Sequence, residues 1–338
     1  MKETMTLAFV GDVMLGRGVN EEIVRRVSGQ DASLMAASFW GDVLPVLKAA
    51  DGVIANLECA ITSYPVQCRR TPKVFHFRAD PVAVEVLRAG NIRWVSLANN
   101  HILDFDDQGL FDTLHYLDAA GIGHAGAGRT DAEAIAPALI TLQDRTIGLI
   151  AITDNEIAFA AEHNRPGTYY LEITIQPHVL QRVEHSVKQA QEAGAQWVIL
   201  SAHWGPNMVT TPPNHFQDFA HATVDLGVDI FYGHSAHIFQ AVEHYKRGLI
   251  LYDTGDFLDD YAVDPDLHND WSFVFLVDLN GNRIQRLRLI PVHLDYARVE
   301  LARGQEFDAI CERMRSRCTK FHTPLVRAPE GLELVMAD

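Results

Sequence analysis

Short apolar runs punctuate this chain, and each closes on polar residues. They are TLAFVGD (6–12), DGVIANLE (51–58), RWVSLANNH (93–101), TIGLIAITDN (146–155), WVILSAHWG (197–205), DIFYGHSAH (229–237) and GLILYDTGDF (248–257). Bounded runs rich in β-branched residues read as buried strands. Between several of them the apolar positions switch to helical spacing, over 80–90, 108–121, 177–194 and 214–227. Each of these four segments ends in glycine, a normal helix stop. Strand–helix alternation predicts an α/β sheet with helices on its faces.

The last part of the chain changes character. Residues 271–296 read as two strands around Asn280-Gly281-Asn282, a hairpin signal. Residues 304–318 read as a helix. There is no internal repeat and no low-complexity linker, so one domain is expected over 1–300. The segment 301–338 is expected to be a C-terminal helix and tail packed on that same domain. Disorder is expected only in the last dozen residues.

The polar residues fall where the strands stop. In open α/β folds, ligands bind outside the carboxyl ends of the strands. Six strand ends carry metal-type ligands: Asp12; Asn56 with Glu58; Asn99-Asn100-His101; His203; His234 with His237; and Asp253 with Asp256. Imidazole, amide and carboxylate together suit a divalent cation, with Mn, Fe, Zn or Ca all compatible. The sharpest element is Gly233-His234-Ser235-Ala236-His237, where glycine is expected to let the backbone turn and aim both rings at one place. Other readings stand beside these. Asp12, ahead of a Gly16/Gly18 loop, also fits a helix N-cap. Asn56 and Glu58 fit a turn, and Asn99 and Asn100 fit turn-forming amides.

Charge and composition narrow the function further. The 338 residues carry a net charge of −16 with 21% charged residues. That is a poor basis for binding nucleic acid, where phosphate neutralisation supplies most of the affinity. Four cysteines, Cys59, Cys68, Cys311 and Cys318, form no CxxC pair and read as reduced thiols. The opening residues show no signal-peptide core, and no run approaches the ~20 apolar residues of a membrane helix, so a cytoplasmic protein without a membrane partner is expected. The GRGV at 16–19 lacks the lysine and glycine spacing of a phosphate loop. No serine-nucleophile elbow or catalytic-cysteine signature is present.

Several segments together resemble the CapA family, named for poly-γ-glutamate capsule synthesis, within the calcineurin-like metallophosphoesterase superfamily. They are GDVMLGRG (11–18), NLECAIT (56–62), SLANNHILDFDDQGL (96–110), HWG (203–205), GHSAHIFQAVE (233–243) and YDTGDF (252–257). The resemblance spans residues 6–296 in the right order. It implies a four-layer α-β-β-α sandwich and a centre of one or two divalent ions, with no organic cofactor. Carried over by position, Asp12 and His237 would hold one ion, Glu58 would bridge, and Asn100, His203 and His234 would hold the second. His101 would be the acid beside the centre. The chain also departs from the superfamily pattern. Met14 stands where a histidine ligand is usual, Asn56-Leu57-Glu58 replaces Gly-Asp, and Asp253 and Asp256 add two carboxylates. Extra negative charge disfavours a phosphate dianion.

These features point to a metal-dependent enzyme acting on a peptide. Some CapA-like proteins of lasso-peptide pathways resemble cofactor-independent epimerases. On that model a Cα proton would be exchanged between two acid/base groups straddling the carbon. Asp12 or His101 would serve on the metal side, and His293, a polar position in IPVHLDY, on the other. His293 also fits a hydrogen-bonded edge-strand histidine. Arg17 and Asp256 are expected to contact substrate. Epimerisation of a ribosomal precursor peptide is the favoured expectation. The alternatives are hydrolysis of a phosphoester or γ-glutamyl amide, and non-catalytic peptide binding stabilised by metal. Oligomeric state is not legible.

Overall fold

The computed structural model describes residues 4–27 and 32–336. Two sheets pack face to face. The larger is built on the parallel strands Thr4–Val13, Gly52–Leu57, Ile92–Ser96 and Gly123–Ala125. The smaller has the parallel strands Arg145–Thr153, Trp197–His203, Ile230–His234 and Gly248–Leu251 at its centre.

Period-two alternation decides which side chains meet. In the first strand Met5, Leu7 and Phe9 join the core between the sheets, while Ala8 and Val10 face the outer helices. Phe9 meets Tyr232 of the other sheet at 5.3 Å between ring centroids. The Tyr232 hydroxyl donates to the Val10 carbonyl at 2.5 Å, tying the two sheets together. The central strands of the smaller sheet are covered on both faces, which is why their sequences are continuous apolar runs rather than alternating ones.

The helices form the outer layers. Asp106–Ala120 turns Leu110, Thr113, Leu114 and Leu117 inward, and Gly121 stops it with a left-handed φ of 68°. Pro177–Glu192 buries Val179, Val183, Val187 and Ala190 on one face. Asn214–Asp225 covers the smaller sheet beside it. The predicted 80–90 helix is a 3-10 turn, Pro81–Ala83, running into Val84–Ala89. The expected Gly16/Gly18 loop is instead the start of a helix, Arg17–Arg26, that buries Val19 and Ile23. The architecture is thus the four-layer α-β-β-α sandwich.

The hairpin lies where the asparagine–glycine signal puts it. Trp271–Asn280 pairs antiparallel with Arg283–Asp295 and also with Thr4–Val13, so it extends the larger sheet. Beyond it, Gly304–Thr319 buries Ile310, Cys311, Met314 and Cys318. The expectation of disorder in the last dozen residues is corrected. Gly331–Val335 is a strand paired with Arg286–Leu289, and Val326–Ala328 pairs with it in turn. Apolar Leu332 and Leu334 hold it in the inter-sheet core. Residues 337 and 338 lie outside the described residues. The four cysteines are free and buried. No helix among the described residues is long and apolar enough to cross a membrane.

Candidate metal centre

The carboxyl ends of the parallel strands in both sheets meet at one place. Asp12 is in register with Asn56 on one side and Asp256 on the other. His203 is in register with His234 in the facing sheet. The first strand slips register between Phe9 and Asp12, an irregularity of the kind that re-aims a side chain next to a site. Two glycines permit the close approach. A Cβ on Gly11 would lie 2.1 Å from the Gly255 carbonyl oxygen, and one on Gly233 would lie 2.1 Å from that of Tyr252. Gly233 therefore serves strand contact rather than a turn. The left-handed residues of that loop are Ser235 and His237, with φ of 111° and 61°.

Asp12 stands at the junction of two ligand groups. Asp12, His203 and His234 offer one ligand atom each, all within 4.8 Å of one another. So do Asp12, Glu58, His237 and Asp256. The shared position belongs to Asp12, whereas the resemblance implied Glu58. Asn100 joins the first group through its side-chain oxygen, 2.9 Å from His203 Nε2. The His203 and His234 Nδ1 atoms face each other at 3.0 Å. Ser201 meets His234 on its other nitrogen, Nε2, at 2.8 Å. Asn56 and Asn99 stand one layer back. Asn56 donates to Asp12 Oδ1 at 2.8 Å, and Asn99 donates to Asn56 Oδ1 at 3.0 Å. Asn99 also accepts from the backbone N–H groups of His101 and Ile102, so its turn-forming reading is correct too.

Three carboxyl groups crowd this pocket away from solvent. Asp12, Glu58 and Asp256 are all buried. Burial pushes the Glu58 and Asp256 carboxyls well above the usual range, and the neighbouring Asp12 charge adds to this in both. Burial acts on Asp12 the same way, but bonding and charge from His234 hold it at about 2. His237, 2.8 Å from Asp256, is raised well above its ordinary value against the pull of burial. Burial lowers His203 well below its ordinary value, leaving a neutral imidazole. Asp12 Oδ2 and Asp256 Oδ2 are buried with no hydrogen-bond partner. Orphaned carboxylate oxygens within reach of imidazole nitrogens are what a divalent ion would complete, so the residues fit the group. Met14 does not contribute. Its sulfur is buried and accepts from the Gly16 N–H at 3.1 Å.

A cavity of about 500 Å³ opens over the centre. Glu58, Asn100, His101 and His237 reach it from the metal side, and Arg17, Lys73, Phe75, Phe77 and Tyr261 form its walls. His101 is set by three neighbours: Nδ1 lies 2.5 Å from Asp104 Oδ2, Lys73 Nζ is 3.2 Å away, and Phe77 stacks on the ring at 3.9 Å. Burial lowers His101 to about 4 despite Asp104. Its Nε2 faces Glu58 at 3.8 Å. Arg17 lies near the rings of Phe75, Phe77 and Tyr261, at 5.7, 5.8 and 5.9 Å.

Two expected roles are corrected. Asp256 is not at the substrate surface. It is fully buried, fixed by its register with Asp12, and belongs to the ligand group. His293 does not line the cavity. It is in register with Trp271 on the hairpin and sits beside Asp270 and Glu306. Asp253, at a strand end, is a brace: it accepts from the Ala236 and Gly255 N–H groups at 2.9 and 2.8 Å and so fixes the histidine loop. Sequence reasoning missed Asp104, Lys73 and Tyr261. Asp104 was detectable, three residues after His101 in one turn. Nothing local marks the other two.

A two-sheet α/β sandwich with buried carboxylates and imidazoles gathered at its strand ends presents a candidate divalent-cation centre. The chain belongs to the family described as bacterial capsule synthesis protein PGA_cap, whose model matches residues 6–261. It is 30% identical over 367 residues to the probable polyglutamine synthesis accessory protein MT0602 of Mycobacterium tuberculosis, covering 98% of this chain and 95% of that one. It is 29% identical to the capsule biosynthesis protein CapA of Bacillus anthracis over 76% of this chain and 60% of the relative. Among solved structures, the calcineurin-like phosphoesterase YfkN of Bacillus subtilis resembles it with a TM-score of 0.44 at 9% identity, covering 95% of this chain and 97% of that one.

Proposed function

We propose that this protein is a two-cation hydrolase that cleaves amide bonds in an acidic, glutamate-rich peptide or polymer. The observation that carries the reading is Asp12, common to two cation-sized ligand groups beside an open cavity. Asp12, His203, His234 and Asn100 would hold one ion, and Asp12, Glu58, His237 and Asp256 the other. A divalent pair supplies Lewis-acid polarisation of an oxygen and makes water more acidic.

The chain's own residues supply the rest. His101, neutral with its Nδ1 proton directed at Asp104, presents Nε2 as a base that can take a proton from water and return it to a leaving amine. Arg17 at the cavity wall is placed for a substrate carboxylate, a geometry guanidinium suits. Crowding of Glu58 and Asp256 near the centre favours a neutral amide over a phosphate dianion at the reacting position. Relatives named for polyglutamate and capsule work support the substrate class. Four free buried thiols support a reducing, cytoplasmic compartment. Epimerisation loses its second acid/base group once His293 stands outside the cavity lining.

The test is mass spectrometry of γ-linked and α-linked oligoglutamates incubated with manganese- or zinc-loaded protein. In oxygen-18 water, hydrolysis gives fragments carrying one heavy oxygen at the new carboxyl, and Asp12→Asn abolishes them. In deuterated water, an uncleaved product one mass unit heavier would mean Cα exchange and overturn the hydrolase. Substrate bound but unchanged with every metal tried would leave only the binding protein.

A further inference from the structure

A second meeting of imidazole and carboxylates lies apart from the cavity. We propose that Asp270, His293 and Glu306 form an additional divalent-cation site, separate from the main centre, of the imidazole-preferring kind that zinc represents. It does not rest on the hydrolase reading. The three residues each offer one ligand atom, all within 4.8 Å of one another. His293 Nδ1 lies 3.0 Å from Glu306 Oε1 and 3.7 Å from Asp270 Oδ2. That nitrogen is itself buried and makes no hydrogen bond of acceptable geometry, although the ring as a whole is part-exposed. A donor atom aimed between two carboxylates without bonding either suits a cation better than it suits a proton.

The surroundings hold the ligands still. Trp271 Nε1 donates to Glu306 Oε1 at 3.1 Å, so that carboxylate keeps one orientation and its other oxygen is free of this bond. His268 stacks flat on Trp271 at 3.9 Å and reaches Asp270 Oδ1 at 3.1 Å, so it fixes the second carboxylate. Partners that orient ligands in this way are what metal sites characteristically have. Two carboxylates and one imidazole would leave the remaining positions to water, consistent with a part-exposed place.

The three ligands come from three elements. Asp270 ends the turn just before the strand Trp271–Asn280, His293 is on Arg283–Asp295, and Glu306 is in the first turn of Gly304–Thr319. An ion here would pin the C-terminal helix to the hairpin. It would also brace the loop leading back to the cavity. Asn269, next to Asp270, donates to the Ala262 carbonyl and accepts from Asp264 N–H, and Tyr261 in the same loop donates to Glu58.

Zinc content of the full chain, measured by mass spectrometry after equilibration with micromolar zinc and desalting, tests the proposal. His293→Gln and Glu306→Gln are each expected to bind one equivalent fewer than the parent, and to lose part of its zinc-dependent rise in Tm. Asp12→Asn is expected to keep the equivalent they lose. Glu306 is at a part-exposed helix start, so Glu306→Gln provides a folded comparison if His293→Gln does not fold. Parent and both variants with equal zinc content would overturn the site and leave a histidine–carboxylate ion pair in its place.

Discussion

Asp12 reaches further than any other side chain in this protein, because it touches both ligand groups and is hydrogen-bonded by Asn56 behind it. Asp12→Asn keeps the shape but removes the charge that both groups share. We expect bound divalent metal to fall by more than half, read by elemental analysis. Tyr261→Phe would remove only a bond to Glu58 and should leave the metal content close to that of the parent. Asp154 offers a separate test away from the ligands. Burial raises its carboxyl from 3.8 to about 6, against the Gly205 N–H that bonds it. The folded protein therefore holds a proton there that the unfolded chain has already lost, so this group's contribution to stability falls as pH rises through that window. Asp154→Asn should flatten that part of the stability–pH curve in urea denaturation, and an unchanged slope would place the titration elsewhere.

At the level of elements, the C-terminal helix is the clearest place to weigh packing. Met314 is fully buried in a hydrophobic core cluster. Met314→Ala should cost about 2–5 kcal/mol, read as a lower urea midpoint with the same slope. A loss below ~1 kcal/mol would mean the helix is only loosely seated. This helix was legible in the sequence, as were the helices of 108–121, 177–194 and 214–227, from their helical spacing, and the seven strands, from bounded apolar runs that close on polar residues. The Arg17–Arg26 helix was not, since Gly16 and Gly18 look like loop residues and only Val19 and Ile23 mark its buried face. The strand Gly331–Val335 was missed because its local partner, Val326–Ala328, is only three residues long and its main partner, Arg286–Leu289, is far away in the chain. Long-range pairing leaves no local signature.

The centre of the whole molecule was legible for the same reason. Polar residues that close apolar strands are visible one by one, and parallel topology then carries them to one edge. What sequence could not supply was how the side chains face one another across the two sheets. Asp256 was read both as a metal-type residue at a strand end and as a substrate contact, and its register with Asp12 puts it in the ligand group. His293 looked like the far-side base, and only the hairpin geometry places it with Asp270 and Glu306. Chelation should probe the assembled molecule. Removing the ions leaves buried carboxyls facing one another, so Tm should fall with a strong chelator at pH 8 and return on adding manganese or zinc.

The most direct measurement is an anomalous-scattering map from crystals grown with manganese. We predict two peaks about 3.5–4 Å apart, the separation usual for paired ions, with the Asp12 carboxylate touching both. His203 and His234 should lie at one peak and His237 and Asp256 at the other. A single peak that Asp12 does not contact, or no peak at these strand ends, would contradict the shared centre.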